Sequence, residues 1–239
     1  MKERLTVSVA MAAYNGGKYI SQQIESILPQ LKENDELVVS INPSVDDTEK
    51  IVREYQERDR RIKVFMCSQK GVLSNFENAI RCCRNAVVFL SDQDDVWKKD
   101  KIEKQLELFN DSSVGGVCHG CRYIDGYGKM MEMQPSVKKN REINFWEIVK
   151  KNPVQGSTLA FRRELATSFV PFPQKLPMHD SWIGLWICKT SKLIYFNEPL
   201  LLYRQHEGSV TVRKHKKLKN MMADRVKLLW CFFCRKIRG

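Results

Sequence analysis

Three carboxylates fall within four positions, Asp92, Asp94 and Asp95, directly after the apolar run of "NAVVFLSDQDDVW". Carboxylates this close repel one another, and clustering them helps a fold only when something positive sits between them. A D-x-D spacing lets two side chains turn toward one point. Mg²⁺ or Mn²⁺ held by one or two carboxylates completes its shell with water and phosphate oxygens, so the pattern reads as half of a metal–diphosphate site. An EF-hand loop competes, but Val96 and Trp97 stand where it needs a ligand and a glycine. For a lone D-x-D, a solvated acidic turn ahead of a helix starting near Lys98 is the better account.

The elements that must position these acids alternate regularly. Strands are expected at 5–12, 36–42, 62–66 and 86–91, with helices at 18–32, 46–58, 72–84 and 98–109 between and after them. Nearly continuous Val, Phe and Leu at 87–90 indicate a strand covered on both faces, as at the centre of a parallel sheet. This alternation implies right-handed crossovers and an α/β, Rossmann-like doubly wound sheet. Ligands of such sheets bind outside the carboxyl ends of the strands. "AAYNGG", "INPSVDDT" and "SDQDD" end the first, second and fourth strands, so all three gather on one edge. Ala12 and Ala13 are small enough for close approach of a flat base, and the Asn42 amide can read a base edge. The second half is less regular: strands at 114–124 and 127–133 around "DGYG", a short helix at 144–151, a strand at 157–162, a helix at 180–189 and strands at 193–204.

The chain of 239 residues carries a net charge of +12, unevenly spread. Residues 213–239 hold ten Lys/Arg and one acid, Asp224, and so contribute +9 of it. A nucleic-acid binder spreads or stripes its charge over the folded domain. A near-neutral body with a basic tail points instead to an anionic membrane surface or an acidic partner, and not to nucleic acid. Leu218, Met221, Met222, Val226, Leu229, Trp230 and Phe233 fall at helical spacing, giving a basic amphipathic helix that either covers the core or lies on a membrane.

Eight cysteines, two of them adjacent at Cys82 and Cys83, are scattered through apolar segments, which fits a reducing cytosol. The pairs Cys118/Cys121 and Cys231/Cys234 have zinc-like spacing but lie in strand-like and helical sequence, and read as small buried hydrophobes. The N-terminal stretch alternates Leu5, Val7, Val9 and Met11 with polar or small residues, as a strand does and a signal peptide does not. No run approaches the ~20 apolar residues of a membrane span. The expected location is cytoplasmic, with peripheral attachment to the inner face of the plasma membrane.

In order along the chain, "AAYNGGKYI", "DDT", "GVLSNFENAI", "SDQDDVW", "GSTLAFRREL", "MHDSWIG" and "LLYRQHEGSVT" resemble the family 2 glycosyltransferases of the GT-A fold, and among them the bacterial rhamnosyltransferase-like members. The resemblance covers roughly residues 5–212. It implies a GT-A domain over 1–212, with a nucleotide-sugar half at 1–110, an acceptor half with a smaller mixed subregion at 111–212, and a basic tail at 213–239. It implies inverting transfer from a UDP- or dTDP-sugar to a glycan or lipid-linked acceptor in surface polysaccharide synthesis, with Mn²⁺ or Mg²⁺. Carried over by position, Ala12, Ala13 and Tyr14 line the base and ribose pocket. Asn42 stands where the family has an Asp that accepts the pyrimidine N3–H. Asp92 contacts ribose or a metal-bound water, Asp94 ligates the metal with Asp95 in support, and His206 completes the metal shell or binds phosphate. Arg204 neutralises diphosphate charge. Asp180 is the base that takes the acceptor proton, although an Asp preceding "SWIGLWI" is also a good helix cap. Gly156, His179 and Trp182 face the acceptor, Trp182 by stacking on a sugar or else by lying in the core with Trp186. Two other readings remain at this stage: a nucleotidyltransferase, for which "AAYNGGKY" is a thin phosphate loop, and a non-catalytic basic binding module.

Overall fold

Along a strand, side chains leave alternate faces, so parity decides which residues meet which layer. The computed structural model describes residues 3–131, 139–206 and 218–238. Strands β1 (Val7–Ala13), β2 (Glu36–Ile41), β3 (Ile62–Met66) and β4 (Val87–Asp92) run parallel, joined through helices α1 (Ile20–Ile27), α2 (Thr48–Arg58) and α3 (Val72–Cys82). The odd residues Val7, Val9, Met11 and Ala13 of β1 enter one apolar layer with Leu37, Val39, Ile41, Val87 and Phe89. Ile20, Ile24 and Ile27 of α1 and Val52 of α2 cover them. Ala10, Val38, Val88 and Leu90 enter the opposite layer, under Phe76, Ala79 and Ile80 of α3.

The chain continues through β5 (Val96–Trp97), α4 (Lys101–Leu108), β6 (Val114–Ile124), β7 (Arg141–Ile143), α5 (Phe145–Lys151), β8 (Ala160–Arg162), α6 (Ala166–Phe169), α7 (His179–Thr190), β9 (Lys192–Arg204) and α8 (Leu218–Arg238). Among the described residues one mixed sheet forms in the order β3-β2-β1-β4-β8-β6-β9-β5, with β7 on β9. Antiparallel β8 joins β4 to β6, and β6 pairs with β9 in parallel from Val114↔Lys192 to Ile124↔Arg204.

Of the hairpin expected at 114–124 and 127–133, the described residues show the turn and a short antiparallel contact, with Asp125 N–H donating to Lys129 O and Met131 N–H to Tyr123 O, both at 2.9 Å; residues 132–133 lie outside the described residues. Asp125 accepts hydrogen bonds from the N–H groups of Tyr127 and Lys129, both at 2.9 Å, and Gly128 takes φ +86°, so the segment closes as a turn. The antiparallel contact is the bridge Ile124↔Met130. The long partner of β6 is β9, about seventy residues further on.

Helix α8 covers the second layer. Leu228, Cys231 and Phe232 are buried, and Phe232 packs on Phe145 of α5 and on Trp182 and Trp186 of α7. One face of α8 therefore covers the core, as one of the two readings of this segment has it.

Candidate active site

The carboxyl ends of β1 and β2 are stitched together by side chains from the loops that follow them. Asn15, at φ +47°, accepts from Val45 N–H at 2.9 Å, and its own N–H donates to Ser44 Oγ. Gly16 N–H donates to Thr48 Oγ1, and Gly17 N–H to Asp46 Oδ2 at 2.9 Å. These bonds give "NGG" and "DDT" a local purpose: Asp46 organises backbone donors. Burial alone would raise its pKa, but the Thr48 hydroxyl and the Gly17 N–H bring it net below the usual value. In α3, Asn75 donates to Ala13 O at 2.9 Å and accepts from Ser40 Oγ at 2.6 Å, so a buried amide locks β1, β2 and α3 together. Gln93 pairs with the backbone of Tyr14 in both directions, at 2.8 Å each, joining the β4 tip to the β1 tip. The site is thus held by a hydrogen-bonded frame before any ligand is present.

A cavity of ≈ 560 Å³ opens at this edge. Ala12, Tyr14, Asn42, Asp92 and Asp94 line it from the carboxyl edge of β1, β2 and β4, and Gly156, His179, Asp180 and His206 from the elements that follow. Asp92 pairs with Ala12 across β1 and β4, and parity sends both to the same face. Burial, then the charges of Asp94 and Asp180, push Asp92 up to about 7. Asp95 is fully buried, accepts from Arg204 N–H at 2.9 Å through Oδ1, and lies well above the carboxylate range because of burial, Asp92 and Asp94. Its Oδ2 has no hydrogen-bond partner. Asp94 Oδ2 meets His206 Nε2 at 2.8 Å, with the imidazole tilted on Tyr19.

Behind the acids stands a lysine that the sequence reading passed over. Lys101 is fully buried, donates to Ser157 O at 2.8 Å, and lies 3.8 Å over the Trp97 ring. Burial lowers it to about 7, with Asp95 and Asp92 acting in the opposite direction. Its position in the first turn of α4 resembles that of any surface lysine; only the fold turns it inward beneath the acidic tip.

The other wall is built on α7 and the single 3₁₀ turn Gly156–Thr158. His179 is buried, stacks on Phe76 at 4.3 Å, and has no protein partner at either ring nitrogen. Burial depresses its pKa to about 4, so the ring is neutral and offers one donor and one acceptor. Asp180 follows in the first turn of α7. It does not cap the helix: Met178 holds the cap position, and the Asp180 carboxylate accepts from the N–H of the adjacent Ser181. Burial raises Asp180 to about 6, against the opposing effect of that N–H.

Gly156 permits the close approach of these two segments. A Cβ there would lie 2.6 Å from His179 Nε2. Replacing Gly156 with Ala is expected to force the imidazole off Phe76, costing ~1–3 kcal/mol of stability and lowering transfer about tenfold. Thermal denaturation and kcat/KM check this, and a variant with both unchanged refutes the packing role.

Three expected site residues do not reach the cavity. Ala13 is on the opposite parity from Ala12 and is buried among Val9, Ile20 and Ile41. Trp182 is 0% exposed and donates its indole N–H to Phe169 O at 2.9 Å, so it is a core residue and cannot stack on a sugar. Arg204 is 2% exposed. Its guanidinium is committed to Asp94 O at 2.7 Å and Gln22 Oε1 at 2.6 Å, so it braces the acidic tip instead of facing a diphosphate. Asn42 does line the cavity, but both its amide hydrogens go to Cys67 O and Gln69 O, while Oδ1 accepts from Gly71 N–H at 3.3 Å. Only the second lone pair of Oδ1 is left for a base, which rules out the donor half of the expected amide readout. This also explains the amide: a carboxylate at 42 would face two carbonyls.

The donor set suits a hard divalent ion. In the cavity wall a carboxylate oxygen of Asp94 and an imidazole nitrogen of His206 already converge. Among the described residues no three His, Cys, Asp or Glu side chains form a complete ligand group.

The sequence model of glycosyl transferase family 2 matches residues 8–169. An uncharacterized glycosyltransferase of Nostoc sp. is 27% identical over 212 residues, covering 84% of this chain and 65% of that protein, so the chain spans less than two thirds of its length. A putative teichuronic acid biosynthesis glycosyltransferase of Bacillus subtilis is 27% identical over 241 residues, covering 95% of this chain and 92% of that one. Among solved structures, S. aureus TarS 1–349 in complex with UDP-GlcNAc aligns with a TM-score of 0.73 over 97% of this chain and 72% of that one, at 16% identity, a likeness of fold.

Proposed function

The chain belongs to glycosyl transferase family 2, and on that premise we propose that it moves a sugar, with inversion, from a UDP- or dTDP-sugar to a hydroxyl of a glycan or lipid-linked acceptor in bacterial surface polysaccharide synthesis. The fold is the GT-A arrangement expected from the sequence, with a mostly parallel nucleotide-side sheet continued by a mixed part. The reading rests chiefly on one observation: a single cavity collects an acidic strand tip, the Asp94–His206 pair and the raised carboxylate of Asp180.

Inverting transfer needs a base on the incoming hydroxyl and charge stabilisation at the departing diphosphate. Asp180 removes the proton as the acceptor oxygen forms its bond to the anomeric carbon and the bond to the diphosphate breaks. A divalent cation held by Asp94 and His206 would, when bound, neutralise charge on that leaving group. Tyr14 and the free lone pair of Asn42 face the base and ribose. His179 forms part of the acceptor-side wall beside Gly156, stacked on Phe76. Incubation with UDP- and dTDP-sugars, Mn²⁺ and a lipid-linked acceptor should release nucleoside diphosphate. Release of pyrophosphate would replace this reading with nucleotidyl transfer.

Proton linkage gives a separate test. Burial and neighbouring charge raise Asp92 to about 7, so it is partly protonated at pH 7, and a cation beside it favours the charged form. Mn²⁺ with UDP should therefore release protons on binding at pH 7. Titration calorimetry in buffers of differing ionisation enthalpy reads this directly, and an Asp92→Asn variant should release fewer. Equal heats in all buffers would remove Asp92 from the cation's surroundings.

A further inference from the structure

Helix α8 has two apolar faces, and the core uses only one. Leu228, Cys231 and Phe232 point inward. Met222, Val226, Trp230 and Phe233, spaced four, four and three residues apart, stand 50%, 64%, 71% and 52% exposed. Spacing of this kind places them in one stripe along the helix. Trp146 of α5 is 60% exposed and extends the patch, because Phe145 contacts both Trp146 and Phe232, and Phe232 contacts Phe233.

Charge says what covers this stripe. Residues 218–238 hold six Lys/Arg and one acid, Asp224. Arg225 and Arg235 reach back to the carbonyls of Lys150 and of Pro171 and Val170, and so fix the helix on the body. Lys227 stands exposed. A second copy of the chain would bring like charges together across a two-fold axis. An anionic bilayer attracts basic side chains and accepts Trp and Phe at headgroup depth. Among the described residues no helix is long and apolar enough to cross a membrane.

We infer that the outward stripe of α8, Met222–Val226–Trp230–Phe233 with Trp146 beside it, is a docking surface for an anionic phospholipid bilayer, rigidly fixed to the catalytic domain by the inward face of the same helix. The surface is independent of the chemistry assigned to the cavity. Flotation of the full chain with phosphatidylcholine vesicles, with and without phosphatidylglycerol, tests it. The chain should float with the anionic vesicles. A Trp230→Ser/Phe233→Ser variant should lose roughly tenfold or more in binding, and Lys227→Glu should weaken it more at low than at high salt. UDP-induced thermal shifts should be unchanged in both, which shows that fold and donor site survive. Flotation unaffected by the substitutions, or none with either vesicle, overturns the assignment. So does a solution dimer that the Trp230→Ser/Phe233→Ser change dissociates without any vesicle binding.

Discussion

Changing Asp180 to Asn is expected to lower transfer by ~10²–10⁴-fold while leaving donor binding nearly intact. Asparagine keeps the size and an acceptor oxygen for the Ser181 N–H, but cannot take a proton from an acceptor hydroxyl. A cap role predicts a different result, and Met178 already occupies the cap position. The raised pKa adds two signatures. The base form of Asp180 exists above about 6, so kcat/KM should rise with pH through that value and then level off. The same shift works against folding. Below about pH 4 the carboxyl is protonated in both folded and unfolded chains, and the shift contributes nothing. As pH rises toward about 6 the unfolded chain releases its proton first, so stability falls, and above that the loss is complete. The Asp180→Asn substitution removes this titration, so the variant should be as stable as the parent at pH 8, or more so. A variant that retains most of its turnover, or that loses activity only by unfolding, refutes the assignment of Asp180 as base.

The carboxyl edge was legible because apolar periodicity and chain punctuation fix it. Strands β1, β2 and β4 end where "AAYN", "INPS" and "SDQDD" lie, and parallel strands carry their termini to a common side. Parity along β1 was equally available: Val7, Val9 and Met11 are one set, so Ala13 belongs with them and Ala12 with the cavity. Residues with two uses were less readable. Trp182 is amphipathic, and its helical spacing to Trp186 suits a core and a sugar platform alike; the inward face of α8 decides between them, from about fifty residues away. Arg204 ends β9 and meets the acidic tip through the Asp94 carbonyl and through its own N–H to Asp95 Oδ1, pairings that involve main-chain atoms and that no pattern of side-chain types announces. The parallel pairing of β6 with β9 is a long-range choice, which the local turn signal "DGYG" does not announce. Lys101 shows the same limit, since a lysine reads as solvent-facing until the carboxylates and Ser157 O around it are known.

Changing Asp94 to Ala tests the proposed cation, because the acidic tip is positioned by groups the substitution leaves in place. Arg204 holds this tip through the backbone carbonyl of Asp94, at 2.7 Å, and through Asp95 Oδ1, at 2.9 Å. Gln93 ties it to Tyr14 independently. What disappears is the oxygen that meets His206 Nε2. Without a divalent ion the crowded tip is a source of repulsion: Asp92 is raised partly by Asp94. Removing one carboxylate therefore leaves the ion-free protein at least as stable, and this separates the variant from an unfolded one. Charge stabilisation at a departing diphosphate amounts to several kcal/mol, and ~1.4 kcal/mol is a factor of ten in rate. Transfer by Asp94→Ala should accordingly fall by ~10³-fold or more, and the Mn²⁺-dependent part of the thermal shift with UDP should vanish. His206→Ala, with Asp94 still present, should weaken the metal response less than Asp94→Ala does. If Asp94→Ala retained an Mn²⁺-stimulated rate near that of the parent, no ion would bridge this strand tip to the donor, and the clustering of acids at 92–95 would need another cause.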